Sequence, residues 1–378
     1  VALTGDTVLT DANIRTFLAQ AKMSIAVYDT ENDRVSSVWS TNAENELSYT
    51  SYLYNAEGTL TYTVTAETKA LVDGVALTGD TVLTDANIRT FLTQAKMSIA
   101  VYDTENDRVS SVWSTNDKNE ISYTRYAYTS GGKVLYTISG KTQEAVDAVL
   151  IPEGTILTDE NIRTYIQEAN MSIALYDTEN ERVEAVWSTN AENEVSYTAY
   201  YYNSNGTLTY TITAETKVQV DRIALTGDTV LTDETIRIYL DQANMSIAVY
   251  KQDENLVQAV WSTNDKNELT YTAYIYTAAD ELLYTVSGRT QADVLAIALD
   301  ENTVLNDSTI GTYLVHPNMS IAVYDVEQNR VASVWSTNTE SERSYTAYYY
   351  AASGSVMYTV TAPTQQAIAG LVLTEDTE

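Results

Sequence analysis

Apolar and polar positions along the start of the chain follow two periods in succession. Over residues 10–21 the apolar residues Ile14, Phe17, Leu18 and Ala21 recur at i, i+3, i+4 and i+7, which predicts one buried helix face. Thr10 is placed to cap that helix, and Asp11 to sit at the positive end of its dipole; Asn306 takes the place of Thr10 in the last copy. Pro317 stands at the Ala21 position there and predicts an earlier helix end. From Met23 the period shortens to two. Residues 23–28, 35–40, 46–54 and 59–65 alternate and are rich in Thr, Tyr and Val. Short polar turns join them, so they predict a four-stranded antiparallel meander. Residues 67–75 (ETKALVDGV) read as a short helix, although the later KVQVDRIAL alternates as a strand does. The expected fold class is therefore α+β and strand-rich, a helix packed on a four-stranded antiparallel meander. Many unrelated folds share that layout, and it assigns no family.

The whole pattern then recurs. Trp39, Trp113, Trp187, Trp261 and Trp335 each sit in V-W-S-T-N at a constant spacing of 74 residues. Met23, Met97, Met171, Met245 and Met319, each opening M-S-I-A, keep the same step. The repeats are 1–74, 75–148, 149–222, 223–296 and 297–370, and residues 371–378 (LVLTEDTE) match the opening VALTGDTV. That last segment reads as the start of a sixth repeat, or as a subunit-junction segment adding a strand to a neighbour. Five such units predict an elongated array.

A longer period is superimposed on the first. Repeats 1 and 3 share N-A-E-N-E, G-T-L-T-Y-T and T-A-E-T-K, whereas repeats 2 and 4 share N-D-K-N-E and S-G-[KR]-T-Q. Either a two-repeat block was duplicated, or odd and even repeats meet different neighbours. The hairpin loop 55–59 and its counterparts read NAEGT, TSGGK, NSNGT, TAADE and AASGS, changing sequence at fixed length. Isolated loops tolerate length changes, so the fixed length implies regular contacts between loops.

Composition narrows the function classes. Asp and Glu number 52 against 21 Lys and Arg, a net charge of −31, which disfavours nucleic acid and anionic membrane surfaces. Cysteine is absent, which removes disulfides, thiol catalysis and thiolate metal sites. No apolar run approaches the roughly 18 residues a membrane span needs. High Ser, Thr, Asn and Tyr without Cys fits an extracellular or cell-surface protein of a bacterium or archaeon.

Tyrosine is the most unusual component, with 30 Tyr against 2 Phe. On the third strand Leu47, Tyr49 and Leu53 share one face, and Thr50, Tyr52 and Tyr54 the other. Tyr52 and Tyr54, with Tyr126, Tyr128, Tyr200, Tyr202, Tyr274, Tyr276, Tyr348 and Tyr350, form the candidate interface or ligand-binding set. Three readings of this set stay open: a cross-strand Tyr/Thr ladder that stiffens the sheet, an interface with a neighbouring unit or subunit, and an aromatic platform for glycans. Trp39 is assigned to the core with Met23 and Phe17.

Asp29, Glu31 and Asp33 alternate oxygen ligands as a Ca²⁺ loop does. They lack the glycine and the distal bidentate Glu of the helix-loop-helix motif, and Lys251 replaces Asp29 in the fourth repeat. A solvated hairpin turn is the competing reading, and the NAENE segment at 42–46 has the same pair of readings. Sequons at Asn170, Asn205, Asn244, Asn306 and Asn318 are glycosylation candidates, or chance products of an Asn- and Thr-rich chain. No catalytic motif is present: there is no G-x-S-x-G, phosphate loop or spaced His cluster, and His316 stands alone. The sequence thus predicts no cofactor and no enzyme, but a structural repeat protein of a filament, stalk or surface array whose partners are copies of itself. The alternative is a multivalent adhesin that binds glycans or a host or cell surface through its Tyr-rich faces.

Overall fold

The computed structural model describes residues 7–42, 45–251, 256–351 and 354–371. The opening turn around Gly5, the core of the fourth-repeat loop at 252–255 and the terminal segment 372–378 lie outside the described residues. The chain divides into two compact units, Val1–Val195 and Ser196–Glu378. Strand-rich meanders fill both, with twenty antiparallel strands and only short helices among the described residues. No helix is long and apolar enough to cross a membrane.

In the first unit the strands are β1 (Ser24–Asp29), β2 (Arg34–Thr41), β3 (Leu47–Tyr54), β4 (Leu60–Ala66), β5 (Ser98–Asp103), β6 (Arg108–Thr115), β7 (Ile121–Tyr128), β8 (Val134–Gly140), β9 (Ser172–Asp177) and β10 (Arg182–Thr189). Each pairs antiparallel with the next in chain order. The second unit contains β11 (Val195–Tyr202), β12 (Leu208–Ala214), β13 (Ser246–Tyr250), β14 (Val257–Thr263), β15 (Leu269–Tyr276), β16 (Leu282–Gly288), β17 (Ser320–Asp325), β18 (Arg330–Thr337), β19 (Arg343–Tyr350) and β20 (Val356–Ala362). They too pair consecutively. The meander is therefore continuous across sequence repeats: β4 bonds to β5, β8 to β9, β12 to β13 and β16 to β17.

Period two decides which face is buried. Ile25, Trp39, Tyr49 and Ala66 stand opposite one another across four strands. The Trp39 and Tyr49 rings meet at 4.6 Å and 56°, a tilted aromatic contact. All five tryptophans are fully buried. The link from β4 to β5 crosses this face. It carries the helix Lys69–Asp73, a leader loop with buried Leu77 and Leu83, and the 3-10 turn Ile88–Thr90.

The predicted helix over 10–21 is a single turn. It is a 3-10 turn at Ile14–Thr16 in the first repeat and one α-turn at Ile162–Tyr165, Ile236–Tyr239 or Ile310–Tyr313 later. One turn already buries Ile14 and Leu18 completely, leaving Phe17 and Ala21 half-buried. The Asn13 side chain accepts from Thr10 N at 2.9 Å and donates to Val8 O at 2.8 Å, closing a local turn in place of a helix start. At the other end Lys22 takes φ 60° and aims the chain into β1. Helix nucleation is unfavourable, and nothing remains for further turns to bury. Pro317 accordingly shortens nothing, since the turn Ile310–Tyr313 ends before it.

Asp11 does not serve its own turn. Its carboxylate accepts from Lys69 N at 2.7 Å and Ala70 N at 3.1 Å, capping the helix at the far end of the repeat. Asp85, Asp233 and Asp307 repeat the bridge to residues 143–144, 291–292 and 365–366. Thr68 adds its side chain as N-cap, so the ambiguous segment 67–75 is helical, and Lys217–Asp221 is helical too with a Thr216/Gln219 capping box.

Junctions differ along the longer period. At Gly79 an added Cβ would strike the Tyr54 carbonyl, and at Gly227 the Tyr202 carbonyl. These glycines lead even repeats, and each follows an Asn-headed hairpin at Asn55 or Asn203. Glu153 and Glu301 hold the same place in odd repeats, after Thr-headed hairpins. At the Glu301 junction its carboxylate accepts from Ala278 N at 2.6 Å instead. The leader thus meets the preceding hairpin differently at Gly79 and Gly227 than at Glu301, although Gly5 also opens repeat 1.

Candidate functional site

One sheet face lies under the crossing segments; the other is open and half-exposed. Small hydroxyl side chains pair across it. Ser40 and Ser48 Oγ lie 2.9 Å apart, Thr50 and Thr65 Oγ1 2.9 Å, and Thr124 Oγ1 and Ser139 Oγ 2.8 Å. Tyr52 stands opposite Thr63, and Tyr126 opposite Thr137. Burial raises the pKa of the Tyr52 phenol, and Tyr102 from the next repeat adds to the effect. Tyr126 and Tyr274 are raised the same way, by burial first and then by Tyr176 and Tyr324. Tyrosine and threonine thus stand opposite one another across the open face.

Tyr54 is engaged within its own repeat. Its hydroxyl donates to Val35 O at 2.7 Å, and the Arg34 guanidinium sits 4.1 Å over its ring. Tyr128 with Arg108 and Tyr350 with Arg330 repeat both contacts. In the fourth repeat Leu256 stands at the arginine position, and Lys251, at the Asp29 position, lies 4.6 Å over the Tyr276 ring. The cation is kept although its strand position moves. Burial, with Tyr274 beside it, pushes the Tyr276 phenol up to about 12.

The same arginine accounts for the acidic loop. Asp29 accepts from Glu31 N at 3.1 Å, Asn32 Nδ2 at 2.7 Å and Arg34 Nε at 3.3 Å. The Asn32 side chain is the main cause of its lowered pKa, and Asn106 does the same for Asp103. Asp33 takes φ 52°, a turn position, and Glu31 is exposed. These contacts close a polar turn around Asp29, whose carboxylate already faces donors. The NAENE segment closes likewise: Asn116 Nδ2 donates to Glu120 Oε2 at 2.7 Å and Asn116 Oδ1 accepts from Glu120 N at 2.9 Å. Asn42–Glu46 makes the same pair, with residues 43–44 outside the described set. Among the described residues no three His, Asp or Glu side chains converge as metal ligands would.

The sequon asparagines fall at positions with backbone reasons for Asn. Asn170, Asn244 and Asn318 take φ 57–59° where Lys22 and Lys96 do so in repeats 1 and 2, and Asn tolerates that left-handed region well. Asn306 accepts from Ser308 N at 2.9 Å and Thr309 N at 3.1 Å within its turn. Asn205 precedes Gly206 (φ 84°) in an exposed hairpin.

A shallow groove recurs beside the Arg15-type side chain. In repeat 1 it encloses about 640 Å³ and is lined by Arg15, Asn45, Glu46, Glu67 and Lys96; in repeat 2 about 360 Å³, between Arg89, Trp113, Glu120 and Lys141. Arg15 Nη1 donates to Asn45 O at 2.7 Å. His316 Nε2 lies 3.5 Å from Asp293 Oδ1 at the exposed junction of the last two repeats. Sequence reasoning missed the Asp11 bridge, which joins positions far apart in the chain. It also missed an exposed aliphatic residue at one phase of every repeat, Val8, Val82, Ile156, Val230 and Val304, each 69–77% exposed.

No family model matches this chain, and no curated protein matches it. Only weakly similar are the crystal structures titled TcdB2-TccC3-TEV and TcdB2-TccC3. The first is 12% identical with a TM-score of 0.16, over 90% of this chain and 20% of that one; the second is 13% identical with a TM-score of 0.19, over 89% and 18%. The chain spans about a fifth of the length of these structures.

Proposed function

We propose that the chain is a non-enzymatic structural repeat protein, a segment of an extracellular filament, stalk or surface array of a bacterium or archaeon. The observation that carries this reading is the junction. Successive repeats share backbone pairing, as in β4 with β5, and a tyrosine bridge from one repeat to the next repeat's leader. Tyr62 donates to Thr81 O, Tyr136 to Ile151 O at 2.8 Å and Tyr284 to Thr303 O at 3.0 Å. Side-chain chemistry goes into fixing the step from repeat to repeat. The exposed Val8-type residue, kept aliphatic at one phase, suits lateral contacts in an array. Small-angle scattering on the monomeric chain is expected to report an elongated particle; the radius of gyration of a compact globule of this length would overturn the reading.

A second reading, a multivalent adhesin, is favoured by one observation. Tyr126 and Tyr128 stack at 6.4 Å and 22° on the open face, the kind of aromatic surface on which sugar rings stack. Glycan-array binding that weakens in Tyr126→Ala would support it; a blank array leaves the scaffold.

A further inference from the structure

We propose that the turn closing each V-W-S-T-N segment is a contact surface for a second copy of this chain, where the lysine of an even repeat meets the glutamate of an odd one. The inference rests on the scaffold reading and names a partner for it. Along the five repeats the third residue of the N-x-x-[NS]-E turn is Glu44, Lys118, Glu192, Lys266 and Glu340. The sign alternates at every step. Glu44 lies outside the described residues, and the other four are described. A second position alternates too, as Glu67, Lys141, Glu215 and Arg289, with Pro363 in the last repeat. Lys141 and Arg289 differ in residue and agree in charge. Glu67 lines the groove of repeat 1 and Lys141 that of repeat 2.

The backbone does not follow the alternation. Lys118 N and Glu340 N donate to Asn116 and Asn338 Oδ1 at 2.9 Å, and Glu192 N and Lys266 N to Asn190 and Asn264 Oδ1 at 3.0 Å. The residue that follows is left-handed each time, at φ 58–63°. One turn geometry thus presents either sign, and folding does not require the choice. All four side chains are exposed, and among the described residues none of them forms an ion pair within the chain. Other cations are committed: Arg34 and Arg108 lie over tyrosine rings, and Lys96 faces Glu67 and Asp117.

A chain of net charge −31 repels its own copies. Close approach is favoured where unspent charges of opposite sign are opposed. Each compact unit carries both signs, Lys118 and Glu192 in one, Lys266 and Glu340 in the other. A two-fold antiparallel pairing sets Lys118 against Glu192 of the second copy and Glu192 against Lys118 of the second copy, because both spacings are one repeat. An apolar contact is available beside the charge. Val82, 74% exposed, accepts at its carbonyl from Asn87 Nδ2 at 2.8 Å, on the same leader turn as the groove residue Arg89. Apolar contact with charge at its rim is the make-up of a protein interface.

Two reversals supply the test. Lys118→Glu/Lys266→Glu gives every repeat the odd sign, and Glu192→Lys/Glu340→Lys gives lysine to all but the first. Both residue types already occur on this turn, so the fold accepts them, and circular dichroism checks that it does. Association is measured by analytical ultracentrifugation across protein and salt concentration. The chain is expected to self-associate, less so at high salt. Each double variant alone should associate roughly tenfold more weakly, and an equimolar mixture of the two should recover the affinity of the chain. A chain that stays monomeric, or a mixture no stronger than its components, would overturn the proposal. Dextran sulfate bound by a monomeric chain and not by Lys118→Glu/Lys266→Glu would also overturn it, by assigning the lysines to an anionic ligand. Scattering on a non-associating variant still tests the scaffold reading, so the two can fail separately.

Discussion

At the residue scale, the fixed V-W-S-T-N segment assigns one task to each position. Trp39 fills the core, and Ser40 pairs its hydroxyl with Ser48 on the open face. Thr41 accepts from Met23 N at 3.0 Å and donates to Gln20 O at 2.7 Å, holding the turn into β1. Asn42 closes its loop on Glu46. The Asp11-type residue works over a longer distance and makes the sharper prediction. In Asp85→Ala the first two N–H groups of the helix Gln143–Asp147 lose their acceptors. Loss of such a cap costs about 1–2 kcal/mol. Hydrogen exchange should show opening of Gln143–Asp147 made easier by that amount, with β5 unchanged; protection as in the parent chain would mean the bridge is idle. This bridge was not legible in the sequence because its partners are 58 and 59 residues apart and both lie in polar segments. The Arg34–Tyr54 stack was hidden for the same reason, since cation–π pairing leaves no periodic trace.

At the scale of elements, strands were legible and the first helix was not. Strand alternation is enforced over the full length of each run by one buried and one open face, so β1–β4 fall within a residue of their predicted limits. The helix pattern over 10–21 contained only one pair, Ile14 and Leu18, that the fold buries completely. A four-residue spacing satisfies a single turn as well as a long helix. Junctions depend on backbone approach, which sequence shows only as isolated glycines. Gly79→Ala would drive a methyl group into the Tyr54 carbonyl, so the leader loop must lift from the β3–β4 hairpin. Overpacking of this kind costs about 1–3 kcal/mol. The expected result is faster exchange at Val101 and Ala100, opposite β4, and a lower melting temperature. The same exchange at an alanine leader would show that the close approach is absent in solution. The glycine leader and the Asn-headed hairpin occur together at Gly79 and Gly227.

At the scale of the whole molecule, tyrosine burial predicts where stability ends on the alkaline side. Burial is the first cause of the raised pKa at Tyr52, Tyr62, Tyr123, Tyr136, Tyr210, Tyr271 and Tyr284, and Tyr276 reaches about 12. A phenol in an unfolded chain titrates near ~10. Above that pH the unfolded state releases protons that the folded state retains, so stability falls as pH rises. The contribution is complete below about 10 and is lost as pH climbs through the folded values toward 12. The net charge of −31 makes each added phenolate costlier still in a compact state. Phenolate absorbance and far-ultraviolet circular dichroism followed together should therefore share a phase above the titration range of free tyrosine, in which the buried phenols ionise as the fold is lost. Tyr276→Phe should move that phase to higher pH, because it removes a group whose ionisation drives unfolding. Absence of that shared phase, with absorbance complete while the dichroism holds, would place these rings in solvent and remove the buried tyrosine bridges from the account of how repeat joins repeat.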